Sequence, residues 1–130
     1  METESKQKII LVDDDNFLLE MYAKKFINSG YNVLTATSGS DAVNQIMAND
    51  DIDVVLCDII MPEMDGLEFL TKINEENYIP NAIKIVLSNQ GQQVEIDRAQ
   101  ELGIGGYIIK ALHTPSEVVK KVQEIISNKK

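Results

Sequence analysis

The chain has 130 residues, enough for one domain that buries a core without metal or disulfide staples, and too few for two ordinary domains. Lys and Arg number 12 against 21 Asp and Glu; the formal charge of −9 argues against a nucleic-acid-binding surface and against docking on an anionic membrane. One cysteine, Cys57, excludes an internal disulfide, and no apolar run approaches the ~20 residues of a membrane span. The start, METESKQK, lacks the apolar stretch of a signal peptide, so the expectation is a soluble, cytoplasmic, single domain over 1–130 with its core at about 8–126.

Residues 9–12 form the first short apolar run. Leu18, Met21, Tyr22 and Phe26 follow at the spacing of an amphipathic helix, and Gly30 stands where that helix should stop. Residues 31–36 alternate apolar and polar, a weaker strand. Ser38 to Asp41 resemble a capping box ahead of the stripe Ala42, Val43, Ile46 and Met47. Residues 54–57 form a second strong run, and Leu67, Leu70 and Ile73 a third helical stripe. Another run covers 83–87. The segment 92–102 is polar with a poor stripe, and Gly103 closes it. Residues 104–109 give the last strand. Thr114, Pro115 and Glu117 then open a helix with the stripe Val118, Val122, Ile125 and Ile126. The polar ends, 1–7 and 128–130, are expected to fray.

The order is strand then helix, five times. Such units give an α/β fold, with a parallel sheet, right-handed crossovers and helices on both faces. Strands covered on both faces read as continuous apolar runs, so the first, third and fourth are central. The alternating second strand and the glycine-containing fifth are edges. The order 2-1-3-4-5 satisfies this, and its switch point lies between strands 1 and 3.

That topology gathers residues far apart in sequence. Strand 1 ends in Asp13, Asp14 and Asp15, strand 3 in Asp58, strand 4 in Ser88, and strand 5 in Lys110. Clustered carboxylates repel unless a cation intervenes, and Mg²⁺ takes oxygen ligands of this kind. A metal and a lysine around one carboxylate suit a phosphoryl group, whose transfer needs positioning and charge neutralisation above all. The nucleophile would be a carboxylate, forming an acyl phosphate.

These residues carry a resemblance. KIILVDDD at 8–15, the block D-x-x-M-P-x-M-D-G from Asp58 to Gly66, Ser88, and Tyr107 to Lys110 are similar to the receiver domain of two-component response regulators, over about 8–126. The resemblance implies a flavodoxin-like doubly wound fold, (βα)5, and a phosphorylation-operated signalling switch. It implies that Asp58 is the phosphoacceptor. Asp14 would hold Mg²⁺ (or Mn²⁺) directly and Asp13 through water, with the main-chain carbonyl of Ile60 and Asp58 itself as further ligands. Lys110 and the Ser88 hydroxyl would bind phosphoryl oxygens. Tyr107 would be the aromatic switch, with mere edge-strand packing as its alternative. The donor would be a histidine kinase or phosphotransfer protein. Output would pass through the face of helix 4, strand 5 and helix 5 to a downstream protein, or through a dimer formed on phosphorylation. Such a chain is a phosphoacceptor that assists its own phosphorylation and dephosphorylation rather than an enzyme.

Three positions depart from the family's commonest pattern. Asn89 stands where a small residue is usual, which bears on the lifetime of the phosphorylated form. Ala111 follows Lys110 in place of proline, so the expectation there is a trans peptide or a strained cis one held by its surroundings. Ile60 puts an apolar side chain beside the site and would shield it. Elsewhere plain readings suffice. Asp15 is a loop residue or part of the first helix cap rather than a third ligand, Asp65 and Gly66 belong to a turn, and Met61 and Met64 to loop packing. Cys57 is a small buried hydrophobe and His113 an exposed one-off.

Two other functions compete. A haloacid-dehalogenase-like phosphohydrolase would use Asp13 as its nucleophile, since Asp13 and Asp15 fit a D-x-D start; no acidic pair follows Lys110, however. A receiver serving as a phosphorylation-independent scaffold would not need Asp14, Asp58 and Lys110 together. A flavodoxin-type cofactor protein would need a Ser/Thr/Gly-rich phosphate loop after strand 1, and none is there.

Overall fold

A computed structural model describes residues 6–89 and 91–128; the expectation of frayed ends at 1–5 and 129–130 lies outside the described residues. The strands are β1 (Lys8–Val12), β2 (Asn32–Ala36), β3 (Val54–Cys57), β4 (Ile83–Ser88) and β5 (Gly106–Ile109). They form one parallel sheet in the order β2-β1-β3-β4-β5, the expected doubly wound architecture. The helices are α1 (Asn16–Asn28), α2 (Gly39–Ala48), α3 (Gly66–Glu75), α4 (Gln93–Glu101) and α5 (Pro115–Asn128).

Every residue of β3 is buried, whereas β2 and β5 are mostly part-exposed, so the edges fall where the sequence pattern puts them. Alternate strand residues feed two cores. Ile10, Val12, Val55, Cys57 and Val86 face α2, α3 and α4. Ile9, Leu11, Val54, Leu56, Ile85 and Leu87 face α1 and α5. The period-2 alternation of a strand divides each apolar run between the two layers.

Local chemistry fixes the helix ends. Asp15 caps α1 by accepting from the Leu18 N–H at 3.1 Å, as expected. Ser38 accepts from the Asp41 N–H at 3.0 Å, half of a capping box. Thr114 and Glu117 complete a full one at the start of α5. Gly30 and Gly103 take positive φ, 97° and 80°, just past α1 and α4. The structure describes no cis peptide bond, so the Lys110–Ala111 link is trans; Lys110–Leu112 forms a short 3-10 turn.

Several details correct the sequence reading. The buried stripe of α1 is Leu19, Tyr22 and Phe26, with Leu18 and Met21 at its margin. Met47 is exposed, Phe69 joins the core face of α3, and Val119 is more buried than Ile125. The stripe of a straight helix drifts around its axis, so residues at its flanks trade places. β5 begins at Gly106 rather than 104, with the Gly105 N–H still donating to the Lys84 carbonyl of β4. Asp65 is not a plain turn residue: it and Glu68 form a capping box that starts α3. His113 is half-buried and lies 4.0 Å from Glu117.

Lys84 is the exception within the central sheet. It lies in β4, only 8% exposed, and burial lowers its pKa. A base with a depressed folded pKa costs stability below that pKa, and the cost disappears as pH rises towards the unfolded value of 10.5. Lys84→Met is therefore expected to raise the urea midpoint at pH 7, with the gain shrinking as pH rises towards 10.5. A gain independent of pH would show that packing alone is responsible.

Candidate functional site

The strand ends converge as the topology requires. Asp13 follows β1, and its N–H donates to the Ala36 carbonyl at 3.1 Å. Asp58 follows β3, and its N–H donates to the Val12 carbonyl at 3.0 Å. The sheet thus continues one residue past its strands and holds both aspartates by their backbones. Ser88 ends β4 and is 1% exposed; Lys110 follows β5. Asp13, Asp14, Asp15, Asp58, Ile60, Ser88, Asn89 and Lys110, with Leu18, line one crevice of about 270 Å³. A larger groove, about 550 Å³, runs between α3 and α4 and contains none of the strand-end residues.

Lys110 ties the site together. Its ammonium donates to Asp13 Oδ2 at 2.7 Å and to Asp58 Oδ2 at 2.9 Å. The Asp13 Oδ1 accepts from the Asp15 N–H at 2.9 Å. The Asp58 Oδ1 accepts from the Ile59 N–H at 2.7 Å and the Ile60 N–H at 3.3 Å. Burial alone would lower the Lys110 pKa, but the hydrogen bonds and charges of the two aspartates outweigh it and raise it. Lys110 is a fixed cation. Burial raises the Asp13 pKa, and Lys110 with the Asp15 N–H offsets this only in part.

Negative charge is in excess. One carboxylate oxygen each from Asp13, Asp14 and Asp58 lies within 4.8 Å of the others, and Asp14 is exposed. One ammonium cannot neutralise three carboxylates. Their hard oxygen ligands suit a divalent cation of the Mg²⁺ or Mn²⁺ kind. Asp13, Asp14 and Asp58 fit such an ion, and Ile60 lines the same crevice.

Two supports escaped the sequence reading. A Cβ on Gly66 would lie 2.1 Å from the Asp58 carbonyl oxygen, so α3 can start against the Asp58 backbone only with glycine there. Asp65 and Gly66 close the D-x-x-M-P-x-M-D-G block, which is the signal that was open to reading. Tyr22 lies buried below the crevice, with its phenol pKa raised by burial and within range of the charges of Lys110, Asp13 and Asp58. Its place in the α1 stripe gave no hint of this. Cys57 points into the core, where burial and then the Asp58 charge push its thiol pKa far up. Met61 is buried and Met64 half-buried, as loop packing requires. Tyr107 is half-buried against the α4-side core. The Ile60 side chain is 57% exposed and stands at the rim of the crevice.

A doubly wound sheet with acids and a lysine at its switch point defines a class, and the sequence comparison agrees: the chain belongs to the response regulator receiver domain family, matched over residues 9–123. It is a receiver domain of two-component signalling. It is similar to the chemotaxis protein CheY of Treponema pallidum, 34% identical over 123 residues that cover 93% of this chain and 81% of that protein. It is also similar to the CheY homolog of Campylobacter jejuni, 28% identical over 92% of each chain. A CheY-like receiver domain from Methanospirillum hungatei superposes with a TM-score of 0.85 at 26% identity, covering 95% of this chain and 96% of that one. Chemotaxis protein CheY4 of Vibrio cholerae, at 23% identity, shares the fold with a TM-score of 0.86 over 93% of this chain and 99% of that one. No described helix is long and apolar enough to cross a membrane.

The charge balance orders the effects of substitution. Lys110→Met leaves Asp13 and Asp58 facing each other unpaired and is expected to cost about 3–5 kcal/mol in chelator. Asp13→Asn removes a desolvated charge and leaves Lys110 paired with Asp58, so it is expected to stabilise the chain. Urea unfolding of the three proteins checks the order; a destabilising Asp13→Asn would make the Lys110 pair worth more than the burial penalty.

Proposed function

We propose that the chain is a phosphorylation-operated switch whose acceptor is Asp58. The observation that carries this reading is the Lys110 ammonium shared between Asp13 and Asp58 at 2.7 and 2.9 Å. It supplies a fixed cation beside a carboxylate whose other oxygen is held by two backbone N–H groups. The donor is a phosphohistidine of a histidine kinase or phosphotransfer protein. An Asp58 carboxylate oxygen attacks phosphorus, the P–O bond forms, the P–N bond breaks, and the imidazole nitrogen leaves with the electron pair. Lys110 and the Ser88 hydroxyl neutralise and orient phosphoryl oxygens as charge gathers there. Asp13, Asp14, Asp58 and the Ile60 carbonyl would hold Mg²⁺, which neutralises the phosphoryl oxygens when bound. The chain thereby assists gain and loss of its own phosphoryl group, in the cytoplasm, where an unpaired Cys57 belongs.

Phosphorylation replaces one negative charge on Asp58 by roughly two and adds acceptor oxygens. A complete switch from 1:99 to 99:1 needs about 5.5 kcal/mol of differential stabilisation. One Ser88 bond to the charged group supplies ~1.5–3 kcal/mol, so the remainder comes from repacking around Tyr107 or from a partner. The face of α4, β5 and α5 suits that output. α4 buries a single side chain, Ala99, and carries an exposed Val94, while β5 is a sheet edge. The hydrolase alternative fits less well, because no acidic pair follows Lys110 and the block from Asp58 to Gly66 would have no role in it. The intact acid cluster likewise disfavours a phosphorylation-independent scaffold.

Beryllium fluoride with Mg²⁺ is expected to shift the amide resonances of Ser88 and Tyr107 in the wild type and to leave Asp58→Asn unchanged. Equal responses in the two proteins would remove Asp58 from the account. Ile60→Ala, which widens the crevice mouth, is expected to shorten the phosphoryl lifetime several-fold, measured by loss of label after donor removal; an unchanged lifetime would deny Ile60 its shielding role.

A further inference from the structure

Three helices carry glutamate at their third position. In α3 the Glu68 Oε1 accepts from the Asp65 N–H at 2.9 Å, and in α5 the Glu117 Oε1 accepts from the Thr114 N–H at 2.8 Å. α4 has the same acid at the same place, Glu95, three residues after Gln92 at the N-cap. There the motif fails. Gln92 makes no side-chain cap bond, and Glu95 does not turn back to it. Glu95 Oε1 is instead buried, and it is the one sealed side-chain polar atom without a hydrogen-bond partner among the described residues.

Position explains where that oxygen points. Glu95 precedes Ala99 by four residues and Leu102 by seven, which puts the three on one face. Ala99 is fully buried, and Leu102 packs on the same core. Glu95 therefore stands at the head of α4's inward stripe, where an apolar residue is expected, and this is why the stripe looks poor in sequence. Tyr107 packs on that core from β5. Its phenol pKa is raised by burial, then by the charge of Glu95, then by that of Asp58.

We propose that Glu95 is a positioning residue of the switch: its sealed, unpartnered Oε1 destabilises the arrangement of α4 and Tyr107 around unmodified Asp58, and it is relieved when α4 and Tyr107 rearrange. This rests on Asp58 being the acceptor. A buried carboxylate oxygen without a donor bears its whole desolvation penalty. The relief is defined by the sister helices: once the first turn of α4 moves, Glu95 can cap the Gln92 N–H, as Glu68 and Glu117 cap theirs, or reach water. Because Ala99 is the sole buried anchor of α4, the first turn can move without dismantling a core. The penalty thus biases the switch towards the phosphorylated arrangement before any phosphoryl group arrives.

The test uses the full chain with Glu95→Gln, Tyr107→Ala and the double variant, titrated with beryllium fluoride and Mg²⁺ and followed by the Ala99 amide. Gln is isosteric and uncharged, so it should stabilise the unmodified arrangement and raise the midpoint at least about fivefold. In the Tyr107→Ala background the same change should shift it less than twofold. An unchanged or lowered midpoint in Glu95→Gln, or an equal shift in both backgrounds, would overturn the proposal. A second readout needs no beryllium fluoride: Glu95→Gln should lower the Tyr107 phenol pKa followed by NMR. An unmoved Tyr107 titration would also overturn the proposal. A wild type that ignores beryllium fluoride would count against Asp58 as the acceptor, and the Tyr107 titration would still decide the contact with Glu95.

Discussion

One ammonium group spans the centre of this molecule. Lys110 lies 97 residues from Asp13 and 52 from Asp58, yet bonds to both. No local sequence rule brings such groups together; the sheet order does, by setting β1 beside β3 and carrying β4 and β5 out from there. The bridge holds together two carboxylates that would otherwise repel. It also leaves the crevice short of positive charge. A site that is both held and unsatisfied can respond strongly to one added ion or one added phosphoryl group.

Stability is spread unevenly around that bridge. β1, β3 and β4 are buried on both faces, and α3 starts directly against the Asp58 backbone through Gly66. These parts fix the acceptor. On the other side, α4 fully buries only Ala99, lacks a side-chain cap at its N-terminus and carries a sealed carboxylate oxygen of Glu95. Elements that move are drawn from the low-stability end of a fold. The contrast gives the chain a rigid half that positions chemistry and a loose half suited to reporting it.

Much of this was legible in sequence because burial on both faces leaves an unbroken apolar run, and the runs at β1, β3 and β4 fixed the strand order. The strand-end acids and Lys110 followed from that order. The misses have physical causes. Leu19 displaced Leu18 because both stand at a helical spacing from Tyr22, three and four residues before it, and spacing alone does not choose between them. Lys84 was hidden in an apolar run because a lysine stem packs like one. Gly66 looked like a turn glycine, since its close approach to Asp58 is a tertiary contact. The poor stripe of α4 was visible, but that Glu95 was its cause depended on which face turned inward.

The claim at the centre is that the Lys110-paired carboxylate of β3 is the one that takes the phosphoryl group. An acyl phosphate is reduced by borohydride to an alcohol, which marks its own position in a peptide mass spectrum. After exposure to acetyl phosphate and Mg²⁺, the account predicts reduction at Asp58 alone, and none in chelator. Reduction at Asp13, or at neither aspartate, would contradict it.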